Sequence, residues 1–234
     1  MATFVLVHGS CHGGWCWKKV IPLLTSHSHR VNTPTLTGLG ERSHLVRKDI
    51  DLSTHVLDVI QVFEYEDLDD VILVGHSYGG MVIGGVAEKI PNRIKGLVYL
   101  DGYIPKDGKT AFDLVPGLED VYKTRSFSKQ GKEWLVQPYD PKVWGVTNTE
   151  DIAWMKRHLS PMPWHTHDQP IRINNPEARI IPKSYISCTE YKDFHFMAQR
   201  AKLQLGWDYH ELKTGHDAMI IAPNEFVQVL ETLV

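Results

Sequence analysis

The stretch Val71-Ile72-Leu73-Val74-Gly75-His76-Ser77-Tyr78-Gly79-Gly80 decides how the rest of the chain is read. Its first four residues form a short, wholly apolar run of the kind that buried parallel strands use. The segment then fits Gly-x-Ser-x-Gly, and the apolar spacing of residues 81–90 predicts a helix directly after it. A serine between a strand and a helix has to sit on a sharp turn whose strain is of order 1–3 kcal/mol. Gly75 and Gly79 lack the Cβ atoms that would collide in such a turn, and Gly80, Gly84 and Gly85 let the helix lie close to the sheet. The turn exposes the Ser77 hydroxyl at the carboxyl end of its strand, where open α/β sheets hold their ligands.

Outward from this segment, residues 4–7 and 96–100 read as further buried strands and 208–212 as a last one. Weaker candidates lie at 30–35 and 179–188, the second interrupted by Pro182. Residues 54–66 have helical spacing, and 223–234 opens with proline at a first-turn position. Strands alternating with helices predict an α/β fold, a mostly parallel sheet of about six strands with helices on both faces. Residues 105–178 break the alternation. They hold eight of the 13 prolines and four of the 7 tryptophans, too long and too aromatic for a plain connection. They are read as a mainly helical cap inserted into one domain spanning 1–234, whose core is 1–104 and 179–234.

Composition narrows the class. The chain has 234 residues, 42% hydrophobic and 23% charged, ordinary for one large globular domain. Acidic residues outnumber basic ones by 28 to 25, which argues against a nucleic-acid partner. No apolar run nears the roughly 18 residues of a membrane helix. The chain enters a strand-like run at once, without a basic leader. Three cysteines, Cys11, Cys16 and Cys188, make no disulfide framework. These features predict a cytoplasmic protein that needs no membrane.

A serine hydroxyl needs a base to become a nucleophile. The segment Leu212-Lys213-Thr214-Gly215-His216-Asp217 supplies one after the last strand, and His216 stands out among the 13 histidines by that position. An oxyanion hole needs backbone N–H groups aimed at the reacting carbonyl. The glycine-rich turn His8-Gly9-Ser10-Cys11-His12-Gly13-Gly14 can offer the N–H of Ser10, and Tyr78, the residue after the nucleophile, can offer another. The same turn could cradle a phosphate, but neither Gly-x-Gly-x-x-Gly nor the P-loop pattern occurs. His165 and His167 make only a weak metal signal, so neither metal nor cofactor is expected.

The segments 5–17, 37–45, 71–81 and 215–219 together resemble the α/β-hydrolase superfamily, nearest its plant methylesterase and hydroxynitrile lyase branch and small bacterial carboxylesterases. The resemblance spans almost the whole chain. It implies a cofactor-free serine hydrolase with a helical cap, often a homodimer, with Ser77 as nucleophile, His216 as base, and Ser10 and Tyr78 as oxyanion donors. Two positions depart from the pattern. The lyases follow their histidine with a lysine that stabilises cyanide, whereas this chain has Asp217, of opposite charge. The methylesterases carry their acid in Cys-Thr-Glu-Asp, whereas this chain reads Cys188-Thr189-Glu190-Tyr191. The superfamily also allows an acid after the strand that follows the nucleophile helix, which makes Asp101 the preferred candidate; Glu190 and Asp193 remain open.

The expected reaction is hydrolysis of a small apolar or aromatic ester through an acyl-enzyme. The pocket is placed between the cap and the strand ends, with His12, Trp134 and Trp164 as lining candidates. A lactone, carbamate or amide would use the same residues. A catalytically silent small-molecule-binding protein is the alternative from another class.

Overall fold

The computed structural model describes residues 1–128 and 131–234. Six strands form one parallel sheet: β1 (Thr3–Val7), β2 (Arg30–Asn32), β3 (Val71–His76), β4 (Ile94–Leu100), β7 (Lys183–Cys188) and β8 (Trp207–Leu212). Their order is β2-β1-β3-β4-β7-β8, and every adjacent pair is parallel. The nucleophile candidate therefore follows a central strand.

The two faces of the sheet are separated by side-chain alternation, since successive residues of a strand point to opposite faces. On β1, Val5 and Val7 join one core with Leu73, whereas Phe4 and Leu6 join the other with Ile72 and Val74. The first core is covered by α2 (Leu52–Tyr65), α3 (Gly79–Lys89) and α9 (His195–Lys202), and the second by α1 (Ile21–Ser26) and α11 (Pro223–Glu231). Helix α2 starts where Asp51 and Thr54 exchange side-chain and backbone hydrogen bonds, which satisfies two otherwise free N–H groups.

Two expected strands are shorter than their apolar runs. Residues 30–35 pair only over Arg30–Asn32. Residues 176–180 form a helix, α8 (Pro176–Ile180), and the strand starts after Pro182, whose missing N–H cannot join a ladder.

Between β4 and β7 lie α4 (Ala111–Leu114), α5 (Leu118–Arg125), α6 (Thr149–His158), α7 (His165–Asp168) and α8. An antiparallel pair, β5 (Leu135–Val136) with β6 (Met162–Pro163), interrupts them, so this segment is not purely helical. It is fastened to the glycine-rich turn, where Ser160 N–H donates to the Cys11 carbonyl at 3.0 Å, and to the 37–45 segment, where Gly40 N–H donates to Ser160 Oγ at 3.0 Å. The short helix α10 (Ala218–Ile221) follows the His216 loop directly.

Candidate active site

Ser77 has φ of +52°, in the left-handed region that a residue with a Cβ adopts only under strain. Backbone hydrogen bonds hold it there. Its N–H donates to the Leu100 carbonyl at 3.1 Å, and its own carbonyl accepts from Gly80 and Tyr103 at 3.0 Å. A Cβ on Gly75 would lie 2.6 Å from the Gly79 carbonyl oxygen, and one on Gly79 would lie 2.7 Å from that of Val7. The glycines of the motif are therefore required by close backbone contact.

His216 reaches this turn from the edge of the sheet. Its N–H donates to the Trp144 carbonyl at 2.9 Å, and its carbonyl accepts from His76 Nε2 at 3.0 Å. Its Nδ1 lies 2.7 Å from Asp101 Oδ2. Asp101 also has a positive φ, +41°, and its Oδ1 accepts from the Cys188 N–H at 3.3 Å. Burial pushes the Asp101 carboxyl up, against the downward pull of the His216 hydrogen bond. Glu190 and Asp193 are both exposed, and neither bonds to His216 among the described residues. Tyr191, which stands where the methylesterase pattern that the sequence resembles has an acid, packs its ring 4.5 Å from that of His216.

Ser77 and His216 line the same cavity with no hydrogen bond between their side chains among the described residues. Catalytic hydrogen bonds are often long before substrate binds and tighten in the complex.

The Ser10 and Tyr78 N–H groups have no protein acceptor among the described residues. Their peptides are held from behind. Leu36 N–H donates to His8 Nε2 at 3.1 Å, so the proton of His8 sits on Nδ1 and goes to the Gly9 carbonyl at 2.8 Å. That bond orients the Gly9–Ser10 peptide. Burial takes the His8 pKa down to about 3, so the ring stays neutral. The Tyr78 hydroxyl, fully buried, meets His55 Nδ1 at 3.0 Å.

The cavity measures about 490 Å³ and is walled largely by apolar and aromatic side chains, among them Leu118, Tyr122, Val136, Trp144 and Phe194. Ser10, His12, Ser77 and His216 line it, whereas Asp101 stands behind His216. Trp134 and Trp164, expected as lining residues, are elsewhere. Trp134 Nε1 donates to the Gly131 carbonyl at 2.9 Å, and Trp164 packs against Phe112 at 5.0 Å. Aromatic content alone cannot separate a packed wall from a cavity wall.

Sequence reasoning missed the pair Tyr122–His167. Thr166 Oγ1 donates to the Pro163 carbonyl at 2.6 Å and therefore accepts from His167 Nδ1 at 2.8 Å. His167 Nε2 is then an acceptor, for Tyr122 OH at 2.8 Å and Ser10 Oγ at 3.1 Å. Burial takes its pKa down to about 3. His165 turns away to Asp168, 2.9 Å distant, so the two histidines do not share a ligand. His27, His29 and Glu231 do converge on the far surface. However, His29 Nδ1 accepts from the Ala2 N–H at 3.0 Å, which puts its proton on Nε2 and opposes metal binding there. Among the described residues no helix is long and apolar enough to cross a membrane.

Residues 4–229 match the model of a family described as "Alpha/beta hydrolase family". The chain is 36% identical to the carbendazim hydrolyzing esterase of Nocardioides sp. (strain SG-4G), covering 100% of both. It is 41% identical to salicylic acid-binding protein 2 of Nicotiana tabacum, over 95% of this chain and 93% of that one. Among solved structures, an extracellular alpha/beta-hydrolase from a Paenibacillus species superposes with a TM-score of 0.86 at 23% identity, covering 99% of this chain and 98% of that one.

Proposed function

Because this chain belongs to the alpha/beta hydrolase family, we propose that it is a serine carboxylesterase working through Ser77, His216 and Asp101. The observation that carries the reading is the 2.7 Å contact of His216 Nδ1 with Asp101 Oδ2, beside a strained serine on the wall of the same cavity. In this reading His216 Nε2 takes the Ser77 proton as Oγ attacks the ester carbonyl. Asp101 holds the ring in the tautomer that leaves Nε2 free and stabilises the imidazolium that forms. The N–H groups of Ser10 and Tyr78 hold the oxyanion. His216 then protonates the leaving alcohol, and water repeats the sequence on the acyl-enzyme. No step calls for a cofactor.

Residues 105–178 act as the cap: α5 and β5 supply Tyr122 and Val136 to the cavity wall. The apolar lining suits a neutral apolar or aromatic ester. All three cysteines are buried and free, which agrees with a reducing compartment such as the cytoplasm.

The test is hydrolysis of a chromogenic aromatic ester by the wild type and by Ser77→Ala, with covalent labelling by a serine-directed phosphonate. Turnover and labelling both vanish in the variant if the reading is right; an active, labelled Ser77→Ala protein rejects it. The Nocardioides relative hydrolyses carbendazim by its name, so carbendazim belongs in the substrate panel with lactones, carbamates and amides. The tobacco relative binds salicylic acid by its name, so salicylate binding by this chain is measured as well.

A further inference from the structure

Asp217, next to His216 in the chain, is completely buried and does not line the cavity. Neither of its oxygens has a hydrogen-bond partner among the described residues. A carboxylate so placed is costly unless a positive charge compensates it. His12 Nε2 lies 3.4 Å from Oδ2, and His76 Nε2 lies 3.6 Å from Oδ1.

The two rings differ in what they can offer. His76 spends its Nε2 proton on the His216 carbonyl, and burial, foremost, holds it well below the ordinary histidine value. His12 Nδ1 lies 2.8 Å from the Ser10 carbonyl, which can only accept, so that nitrogen carries a proton. A bare Nε2 would then turn its lone pair toward the carboxylate. Protonation of both nitrogens suits both neighbours. Burial opposes the charged ring, but Asp217 and the Ser10 carbonyl outweigh it and hold His12 above the ordinary value. Burial likewise pushes Asp217 up, but His12, His76 and His216 outweigh it and hold it low.

Beyond His76 and His216, the groups facing the pair add no charge. His8 is neutral, as described above. Burial raises the Cys16 and Cys188 thiols, and Asp217 raises them further. Trp15 stacks on the His12 ring at 5.3 Å and Trp144 lies 5.0 Å away, faces that favour a cation.

The place of the pair in the fold gives it a purpose. Strand β8 is the edge of the sheet, separated from β3 by β4 and β7, so the His216 loop has to arch over two strand ends to reach Ser77. We propose that His12 and Asp217 form a buried imidazolium–carboxylate clamp that positions the His216 loop against the Ser10 turn. Both are positioning residues for the esterase reaction, so the proposal rests on that reading.

The test combines Asp217→Asn with nitrogen-15 spectra of the histidine rings, the His12 signal being identified by its loss in His12→Gln. At about pH 7, above the ~6.5 of a free histidine, wild-type His12 is expected to be mainly imidazolium and the Asp217→Asn ring mainly neutral. The kcat of Asp217→Asn is expected to fall on the order of 10²-fold with KM little changed, as for misplacement of a catalytic group. Asp217→Glu, which keeps the charge, is expected to recover part of the loss. A neutral His12 in the wild type, or an Asp217→Asn enzyme with unchanged kcat, overturns the clamp. If Asp217→Asn fails to fold, the wild-type spectrum decides the charge and Asp217→Glu against His12→Gln decides the effect on kcat. Persisting hydrolysis by Ser77→Ala would instead remove the esterase reading and leave the His12 spectrum interpretable on its own.

Discussion

His216 Nδ1 and Asp101 Oδ2 stand 2.7 Å apart although 115 positions separate the two residues in the chain. Asp101 holds this place with a backbone in the left-handed region and an N–H that donates to the Ile186 carbonyl at 2.7 Å. The carboxylate is thus delivered from the end of β4 by a strained turn pinned to β7. Asp101→Asn keeps the shape and offers the wrong hydrogen-bonding group to the ring. Its kcat is expected to drop on the order of 10³–10⁴-fold, as when a triad acid is neutralised. Glu190→Gln and Asp193→Asn serve as comparisons, and a loss larger in either of them than in Asp101→Asn refutes the assignment.

The serine turn is held by backbone contacts that leave no room at Gly75. An added methyl would sit 2.6 Å from the Gly79 carbonyl oxygen and 2.7 Å from its carbon, all of it main chain that cannot rotate aside. Gly75→Ala is expected to destabilise the fold by about 2–3 kcal/mol and to lower activity more than stability explains. Urea midpoints and the rate of chromogenic ester hydrolysis measure the two effects. A variant with wild-type stability and rate would mean that the turn relaxes freely.

Four buried histidines, His8, His55, His76 and His167, have pKa values lowered by burial and set the acid side of the stability curve. His8 and His167 both have pKa values taken down to about 3 by burial. Below pH ~6.5 the unfolded chain binds protons there that the folded chain does not, so stability falls as pH falls. Each contributes a slope of about 1.4 kcal/mol per pH unit well below that point. His12 has the opposite sign, and its stabilising contribution is complete below ~6.5. Urea midpoints measured through the acid range should decline steeply in the wild type, and His167→Asn should remove that residue's own share of the slope, about 1.4 kcal/mol per pH unit. An unchanged slope in His167→Asn contradicts the account.

The cavity wall bears on substrate charge. Among the described residues the lining has no lysine or arginine, and its one carboxylate is Asp193, which is exposed. An ester with an extra carboxylate would enter an apolar chamber without a partner, a penalty of roughly 1–3 kcal/mol. Neutral esters are expected to exceed their carboxylate-bearing analogues in kcat/KM by about 10–100-fold. Equal values for such a pair would show that the charged group stays outside the chamber.

The parts of this architecture legible from sequence are those with local signatures. The β3 run, the glycine pattern and the α3 spacing lie in one continuous segment, and the sheet follows from alternation of strands and helices. His216 was recognisable by its place after the last strand. The acid was harder, because Asp101, Glu190 and Asp193 each follow a strand and only three-dimensional contact distinguishes them. The cavity wall was least legible. Tyr122 and Trp144 line it from positions distant in sequence, with His167 behind Tyr122, and no periodicity announces them, whereas Trp134 and Trp164 were conspicuous by composition alone. Asp217 read as a charge beside the chemistry, and its burial against His12 became visible only with coordinates.

Tyr191 lies against the His216 ring from the β7 side while Asp101 approaches from β4. Two neighbouring strand ends thus offer two berths beside one imidazole, and a carboxylate is needed in only one of them. With the carboxylate in the β4 berth, the β7 berth is left to a flat aromatic neighbour of the same imidazole. The residue in that berth touches the imidazole without carrying a charge, which makes it a natural place to begin altering the reaction's rate by substitution.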